Sequence, residues 1–471
     1  MTDQPGRNAL SRRSALKTVG AGVLGATAAH SLPAFGAGGR GKPNFLFIMA
    51  DDLGYADLSC YGRREYRTPV LDRLATQGMR FTHGYANSSI CSPTRLALIT
   101  GRYHYRLRAG LEEPLAGSGH GLDPAHPTLP SLLKKQGYHS ALIGKWHLGS
   151  LPKYGPLQSG YDEFWGNRGG AIDYFSHGGS SATEPDLWDG DVRIDDVGYY
   201  TDMLAERSLE FLDARAGQPD KPWLLSLHFT APHWPWQGPG DKAESDRIGG
   251  RLFHYDGGSL ATYAEMVTAL DAAIGRVLAR LSEHGLDDNT VVVFTSDNGG
   301  ERFSDNWPFT GMKSELLEGG LRVPLIVRWP GLTTAGSTSD VPVLSMDFLP
   351  TFVAAAGGSP ALPSDGIDFR PALAGHVLPD RPLFWRFGMR EQKAVRLGRY
   401  KYLSIGGNEF LFDIVADPLE RANLKDRQPA RFADLRARFE AWNATMLTDP
   451  TARSYGFGPA QLPDHFDAVN D

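Results

Sequence analysis

Cys91 opens the stretch CSPTRLALITGRY, with Pro93 two residues on and Arg95 four residues on. Proline is tolerated in the first turn of a helix, so Cys91 reads as a residue at a helix N-terminus. Free N–H groups and positive potential gather there, which suits a tetrahedral oxyanion, and Arg95 adds a fixed positive charge. A buried structural thiol is the ordinary alternative, and a thiolate activated by the helix end is another. The only other cysteine is Cys60, so one disulfide at most is available and the thiols are no scaffold.

Four apolar runs end in polar groups. NFLFIMA ends at Asp51 and Asp52, YHSALIG at Lys145 and then His147, WLLSLHF runs on to His233, and TVVVFTS ends at Asp297 and Asn298. Ligands of open α/β sheets gather at the carboxyl ends of strands. Three carboxylates and an amide converging there must shift their pKa values or bind a cation. Hard oxygen donors suit Ca²⁺ or Mg²⁺ rather than Zn²⁺. Taken alone, the Asp51–Asp52 pair reads as a solvated turn, and SDNGG equally as a strand-ending turn. His228, inside its strand, reads as a core residue and as the lesser alternative to His233.

The elements that must position these groups are legible as periodicity. Apolar strands alternate with helical patterns such as TPVLDRLATQG and the long SLATYAEMVTALDAAIGRVLARLSEHG, whose Met266, Leu270, Ile274, Leu278 and Leu281 recur at helical spacing. This predicts an α/β fold: a large mixed, mostly parallel sheet sandwiched by helices. After about residue 375 the pattern becomes four short strands at turn-like spacing and a last helix. The reading divides the chain into a leader at 1–40, a catalytic domain at 41–375 and a small C-terminal α+β subdomain at 376–471, the sheet there being antiparallel.

The formal net charge of −6 argues against a general nucleic-acid binder. SRRSALK before a Gly/Ala-rich run resembles a twin-arginine export signal, and that run is too short and glycine-rich for a stable membrane span. It predicts a periplasmic or secreted bacterial protein that uses the twin-arginine translocon.

CSPTR with the following TGR resembles the signature of the formylglycine-dependent sulfatases of the alkaline-phosphatase superfamily. The likeness extends through PNFLFIMADDLGYADLSCYG, GKWHLG, APHWP, TVVVFTSDNGG and GMKSELLEGGLRVPLIVRWPG, in order and spacing, and is of the arylsulfatase and N-acetylgalactosamine-6-sulfatase kind. The resemblance implies that Cys91 is oxidised to Cα-formylglycine by a formylglycine-generating enzyme, before folded export. The hydrated aldehyde would attack sulfur with one hydroxyl and expel sulfate with the other, an exit that serine lacks. It implies one Ca²⁺ (alternatively Mg²⁺) per chain on Asp51, Asp52, Asp297, Asn298 and the modified Cys91. Arg95 and Lys145 would hold the diol and sulfate, His147 would act as base, and His233 and Lys313 would bind sulfate and protonate the leaving oxygen. The substrate would be an aryl or carbohydrate sulfate. A phosphodiesterase or phosphonate monoester hydrolase on the same fold is the alternative.

Overall fold

Phe45, Phe47 and Met49 alternate with Leu46, Ile48 and Ala50 along strand β1 (Asn44–Ala50), and the two sets enter two different cores. A strand buried on both faces belongs at the centre of a covered sheet, and that is where β1 lies. The computed structural model describes residues 41–114, 119–179, 184–361 and 363–448, all within one structural unit. The expected leader lies outside the described residues.

Helix α1 (Cys91–Thr100) covers one face, packing Leu96, Leu98 and Ile99 beside Phe45, Phe47, Phe348 and Phe352. It ends at Gly101 in a left-handed conformation (φ 68°), which glycine adopts at little cost. Strand β2 (His139–Gly144) follows. Helix α2 (Tyr200–Ala216), strand β3 (Trp223–His228) and helix α3 (Leu260–Glu283) come next, the helices covering the opposite face through Leu204, Phe211, Met266, Leu270 and Ile274. Strand β4 (Thr290–Ser296) completes the centre. Removing a buried aromatic such as Phe47 from cores of this kind costs about 3–5 kcal/mol.

The main sheet has ten strands, with β4, β1, β3 and β2 adjacent and parallel at its middle. Ala50 pairs with Ser296, while Met49 and Gly144 both pair with His228. The carboxyl ends of four strands therefore finish at one level, and the polar residues after them meet. The strand Leu325–Arg328 runs antiparallel to β4, which makes the sheet mixed as expected. Helix α2 and the short edge strands Glu163–Gly166, Trp188–Asp189 and Val192–Arg193 were not anticipated. Ser208 and Arg215 interrupt the apolar face of α2, and two-residue strands carry no period.

Leu383–Phe387, Gln392–Leu397, Tyr400–Ile405 and Asn408–Asp413 form a separate four-stranded antiparallel sheet, covered by the helix Pro429–Asn443. Its core includes Tyr85, Ile90 and Ala97 at and around α1. Helix α1 is thus held between the two sheets, which explains why all ten of its residues are buried.

Candidate active site

Cys91 is the first residue of α1, and its Sγ donates to Asp51 Oδ1 at 3.3 Å. The Thr94 hydroxyl clamps the entry to the helix, accepting from Ser88 N at 3.0 Å and donating to Ser88 O at 3.1 Å. Arg95 stands one turn after Cys91, on the same face. Its guanidinium forks onto Asp297 Oδ2 (Nε 3.0 Å, Nη2 2.8 Å), lies 3.8 Å from Asp51 Oδ2, and donates to the Lys145 carbonyl at 3.2 Å.

Lys145 is fully buried, with Nζ 2.5 Å from Asp51 Oδ2. Its approach requires Gly144: at φ 112° any Cβ would lie 1.9 Å from the His228 carbonyl oxygen. Lys313 reaches in from the other side, 2.7 Å from Asp52 Oδ2 and 3.2 Å from His233 Nε2. Asn298 Nδ2 donates to Asp52 Oδ1 at 2.7 Å, and the Asp52 amide donates to Asp297 Oδ1 at 3.3 Å. The structure thus brings all nine residues singled out with Cys91 into one cluster around it, linked by these contacts, with one exception in kind: His147 makes no hydrogen bond through its ring among the described residues. Both its nitrogens are buried with no hydrogen-bond partner among the described residues, and one ring atom of His147 lies within 4.8 Å of the ligand atoms of Cys91 and Glu113.

The electrostatics follow from burial. Asp52, Asp297 and Asp51 lose solvation but face Lys313, Arg95 and Lys145. Burial would lift Asp52, yet Lys313 and His233 hold it down at about 2. Burial, then the charge of Asp51, lifts Asp297 to about 6 against the pull of Arg95. The Cys91 thiol is pushed well above its ordinary value by burial and by the Asp297 and Asp51 carboxylates. Burial first, and then the two carboxylates, therefore disfavour a thiolate at Cys91, which argues against its activation by the helix end. Burial, then neighbouring cations, holds His147 well below and His233 at about 3, so both rings are neutral at pH 7. The hydrogen bond between His233 Nδ1 and the Trp234 carbonyl (2.7 Å) assigns the proton to Nδ1. Nε2 is then a bare acceptor facing Lys313.

Glu113 escaped the sequence reading, and His228 entered it only as a core residue and the lesser alternative to His233. Glu113 sits in a stretch without periodicity and carried no signal. His228 is buried as expected, edge-on to Phe47, but its Nδ1 also lies 3.4 Å from Arg95 Nη1 and 3.3 Å from Lys145 O. Its position at the end of β3, beside two other site-bearing strand ends, was the available clue.

A buried pocket of carboxylates, fixed cations and neutral histidines thus lies at the carboxyl edge of the sheet, and comparison with known proteins places such a sheet among the sulfatases of the alkaline-phosphatase superfamily. The family model described as Sulfatase matches residues 43–359. The chain is 32% identical over 400 residues to dog N-acetylgalactosamine-6-sulfatase, covering 78% of this chain and 72% of the relative. It is 30% identical over 482 residues to mouse arylsulfatase J, covering 88% and 78%. Among solved structures, Ps i-CgsB superposes with a TM-score of 0.79 at 29% identity, over 90% of this chain and 98% of that one. This chain is a member of the sulfatase family, an enzyme family that hydrolyses sulfate esters.

Proposed function

We propose that the protein hydrolyses sulfate monoesters of glycans or aryl alcohols, with Cys91 converted to Cα-formylglycine and one divalent cation beside it. The carrying observation is the placement of Cys91: at the N-terminus of α1, 3.3 Å from Asp51, with Arg95, Lys145 and His147 around it. Formylglycine there would supply a hydrated aldehyde, one oxygen for attack on sulfur and one for release of sulfate.

The donor set fits a hard cation. Asp51, Asp52 and Asp297 converge, and Asn298 Oδ1 is a buried acceptor with no partner among the described residues, aimed by the bonds its Nδ2 makes to Asp52 and to the Gly299 carbonyl. Three carboxylates facing three fixed cations leave the pocket near neutral, which by itself is a poor seat for an anionic ester. Ca²⁺ or Mg²⁺ on those oxygens and on residue 91 would make it positive and act as a Lewis acid.

The remaining steps belong to the side chains. Arg95 and Lys145 hold the nucleophile and sulfate oxygens in place by charge and by donated hydrogen bonds. Lys313 Nζ carries the proton nearest His233 Nε2, so the pair can pass a proton to the leaving oxygen, with the ammonium as its source. His147, neutral and with a ring nitrogen unpartnered among the described residues, takes a proton when sulfate is released. The twin-arginine leader would place this chemistry in the periplasm or outside the cell, after conversion of Cys91 by a formylglycine-generating enzyme.

Ps i-CgsB has been solved with k-i-k-neocarrahexaose, and this relative supports a sulfated glycan as the substrate class. The phosphonate monoester hydrolase of Agrobacterium radiobacter shares the fold at 21% identity and a TM-score of 0.61, which is a likeness of fold alone. The test is the intact mass of the tryptic peptide holding Cys91, with turnover of 4-nitrophenyl sulfate and of 4-nitrophenyl phenylphosphonate, a phosphonate monoester. The reading requires the aldehyde mass, turnover of the sulfate ester in excess of the phosphonate, and loss of that turnover in Cys91→Ala. Undiminished turnover in Cys91→Ala would overturn it.

A further inference from the structure

His233 begins a column of rings that runs from the sulfate-binding groups to solvent. Its imidazole lies 4.1 Å from the Trp234 ring, Trp234 stacks on Phe253 at 4.7 Å and 29°, and Phe253 stacks on Tyr255 at 5.6 Å and 12°. Lys313 Nζ sits 5.8 Å from the centre of the Trp234 ring, so the column starts at the proton-donating pair. Phe253 is 42% exposed and Tyr255 45%, which is unusual for two adjacent large rings in a loop.

The loop that carries them is anchored at one residue. His254 lies between the two rings in chain order, is buried, and takes a left-handed conformation (φ 44°) that a residue with a side chain adopts only when its surroundings impose it. Trp236 N donates to its Nδ1 at 3.1 Å, and its Nε2 bonds Glu244 Oε1 at 2.6 Å. Both partners fix the tautomer, with the proton on Nε2. Turning His254 inward turns its neighbours Phe253 and Tyr255 outward. The loop is thereby tied to the segment after His233, and the rings line up with Trp234. Packing alone does not require this: the same anchor would hold with polar residues at 253 and 255.

Polar groups fringe the column. Glu301 Oε2 accepts from Trp234 Nε1 at 2.9 Å, and Asp256 pairs with Arg247 at 2.9 Å beside Tyr255. Apolar ring faces and edges fringed by carboxylates and a guanidinium match a pyranose, whose C–H face stacks on aromatic rings while its hydroxyls donate and accept at the rim. A sterol would take those charged groups out of water while offering them no hydrogen-bonding group in return.

We propose that Trp234, Phe253 and Tyr255 form a binding subsite for a pyranose ring in the leaving portion of a sulfated glycan, one sugar or more out from the ester oxygen. This rests on the sulfatase reading of the adjoining pocket. The leaving alcohol departs past His233 and Lys313, and the column is what it meets next.

The test compares the full-length protein with Phe253→Ala, Tyr255→Ala and the double variant. The substrates are 4-nitrophenyl sulfate and a panel of carrageenan, chondroitin and heparan oligosaccharide sulfates. Both rings are on the surface, and circular dichroism with a thermal melt checks that each variant is folded. The double variant should lose kcat/KM on the best oligosaccharide by about tenfold more than it loses on 4-nitrophenyl sulfate, chiefly through KM. Phe253→Trp should recover most of that loss. Equal losses on both substrates, or none on the oligosaccharide, would overturn the subsite. So would a wild-type protein that turns over 4-nitrophenyl sulfate and none of the oligosaccharides, with the sulfatase reading intact. Turnover of neither class would instead sink that reading and the subsite with it.

Discussion

Lys145 Nζ and Asp51 Oδ2 lie 2.5 Å apart with both side chains fully buried, so each is the other's main compensation for lost solvent. Removing one partner of such a pair leaves a charge stranded and costs about 3–5 kcal/mol. Lys145→Met should therefore lower the melting temperature as well as abolish turnover. The proposed cation also touches Asp51, and it would take over part of that compensation. Added Ca²⁺ should then raise the melting temperature of Lys145→Met more than that of the wild type. An equal calcium response in the two proteins would show that Asp51 is no ligand.

Asn298 gives a second reading of the same cation. Its Oδ1 is a buried acceptor without a partner among the described residues, while its Nδ2 is used twice. Asn298→Ala removes a ligand but no charge, and the neighbouring carboxylates keep their cationic partners. Calorimetric titration of the chelated protein should find one site per chain for Ca²⁺ or Mg²⁺, weakened about tenfold or more by Asn298→Ala. Retention of wild-type affinity would remove Asn298 from the site.

The two histidines should fail in different ways. His147 has no bond through its ring among the described residues and stands by Cys91, whereas His233 stands by Lys313. A proton-transfer residue contributes about 10²–10⁴-fold in rate. In His147→Ala the alcohol should leave in a burst of one equivalent per site, followed by a slow steady state. His233→Ala should show no burst, and its defect should deepen as the leaving group passes from nitrophenol to a sugar alcohol. Stopped-flow release of nitrophenol decides this. A missing burst in His147→Ala with a leaving-group dependence would exchange the two roles.

Much of this arrangement was legible before any coordinates. NFLFIMA, WLLSLHF and TVVVFTS read as strands because buried parallel strands are continuous apolar runs, and their polar ends named Asp51, Asp52, Asp297 and Asn298. Pro93 placed Cys91 at a helix start for a local steric reason. What stayed hidden depends on chain segments far apart. His228 resembled any core histidine until Arg95 was found against it, 133 residues away. Phe253 and Tyr255 gave no period, and only the anchoring of His254 turns them outward. The boundary near residue 375 marks a change of strand pattern, but the layers it separates share a core around α1, so composition could not show how they support one another.

That support is most direct at Lys401. Its Nζ is buried 3.0 Å from Glu318 Oε1 and 2.8 Å from Glu420 Oε1, and Glu420 Oε2 accepts the Glu318 amide at 2.6 Å. Glu318 begins the short helix Glu318–Leu321, and Gly299, next to Asn298, packs so tightly there that a Cβ would lie 1.9 Å from the Gly319 carbonyl oxygen. The C-terminal sheet thus braces the segment that follows Lys313 and packs against Gly299, beside the proposed cation ligand Asn298. Glu318 also meets Arg322 at 2.6 Å and is held well below its ordinary value against the cost of burial, chiefly by Lys401 and Arg322. Glu420 shares the single ammonium with it, and burial lifts Glu420 from 4.5 to about 7. A carboxyl raised on folding stabilises fully below its unfolded value, and that contribution is lost as pH rises through about 7. Glu318, shifted the opposite way, is ionised in both states above pH 6 and adds no slope there. The melting temperature should therefore fall as pH rises from 4.5 to about 7 and level off above that, and Glu420→Gln, which keeps the size and one oxygen, should flatten the part of that fall above pH 6. Differential scanning calorimetry at constant ionic strength measures it, and an unchanged slope in Glu420→Gln would assign the pH dependence to another group.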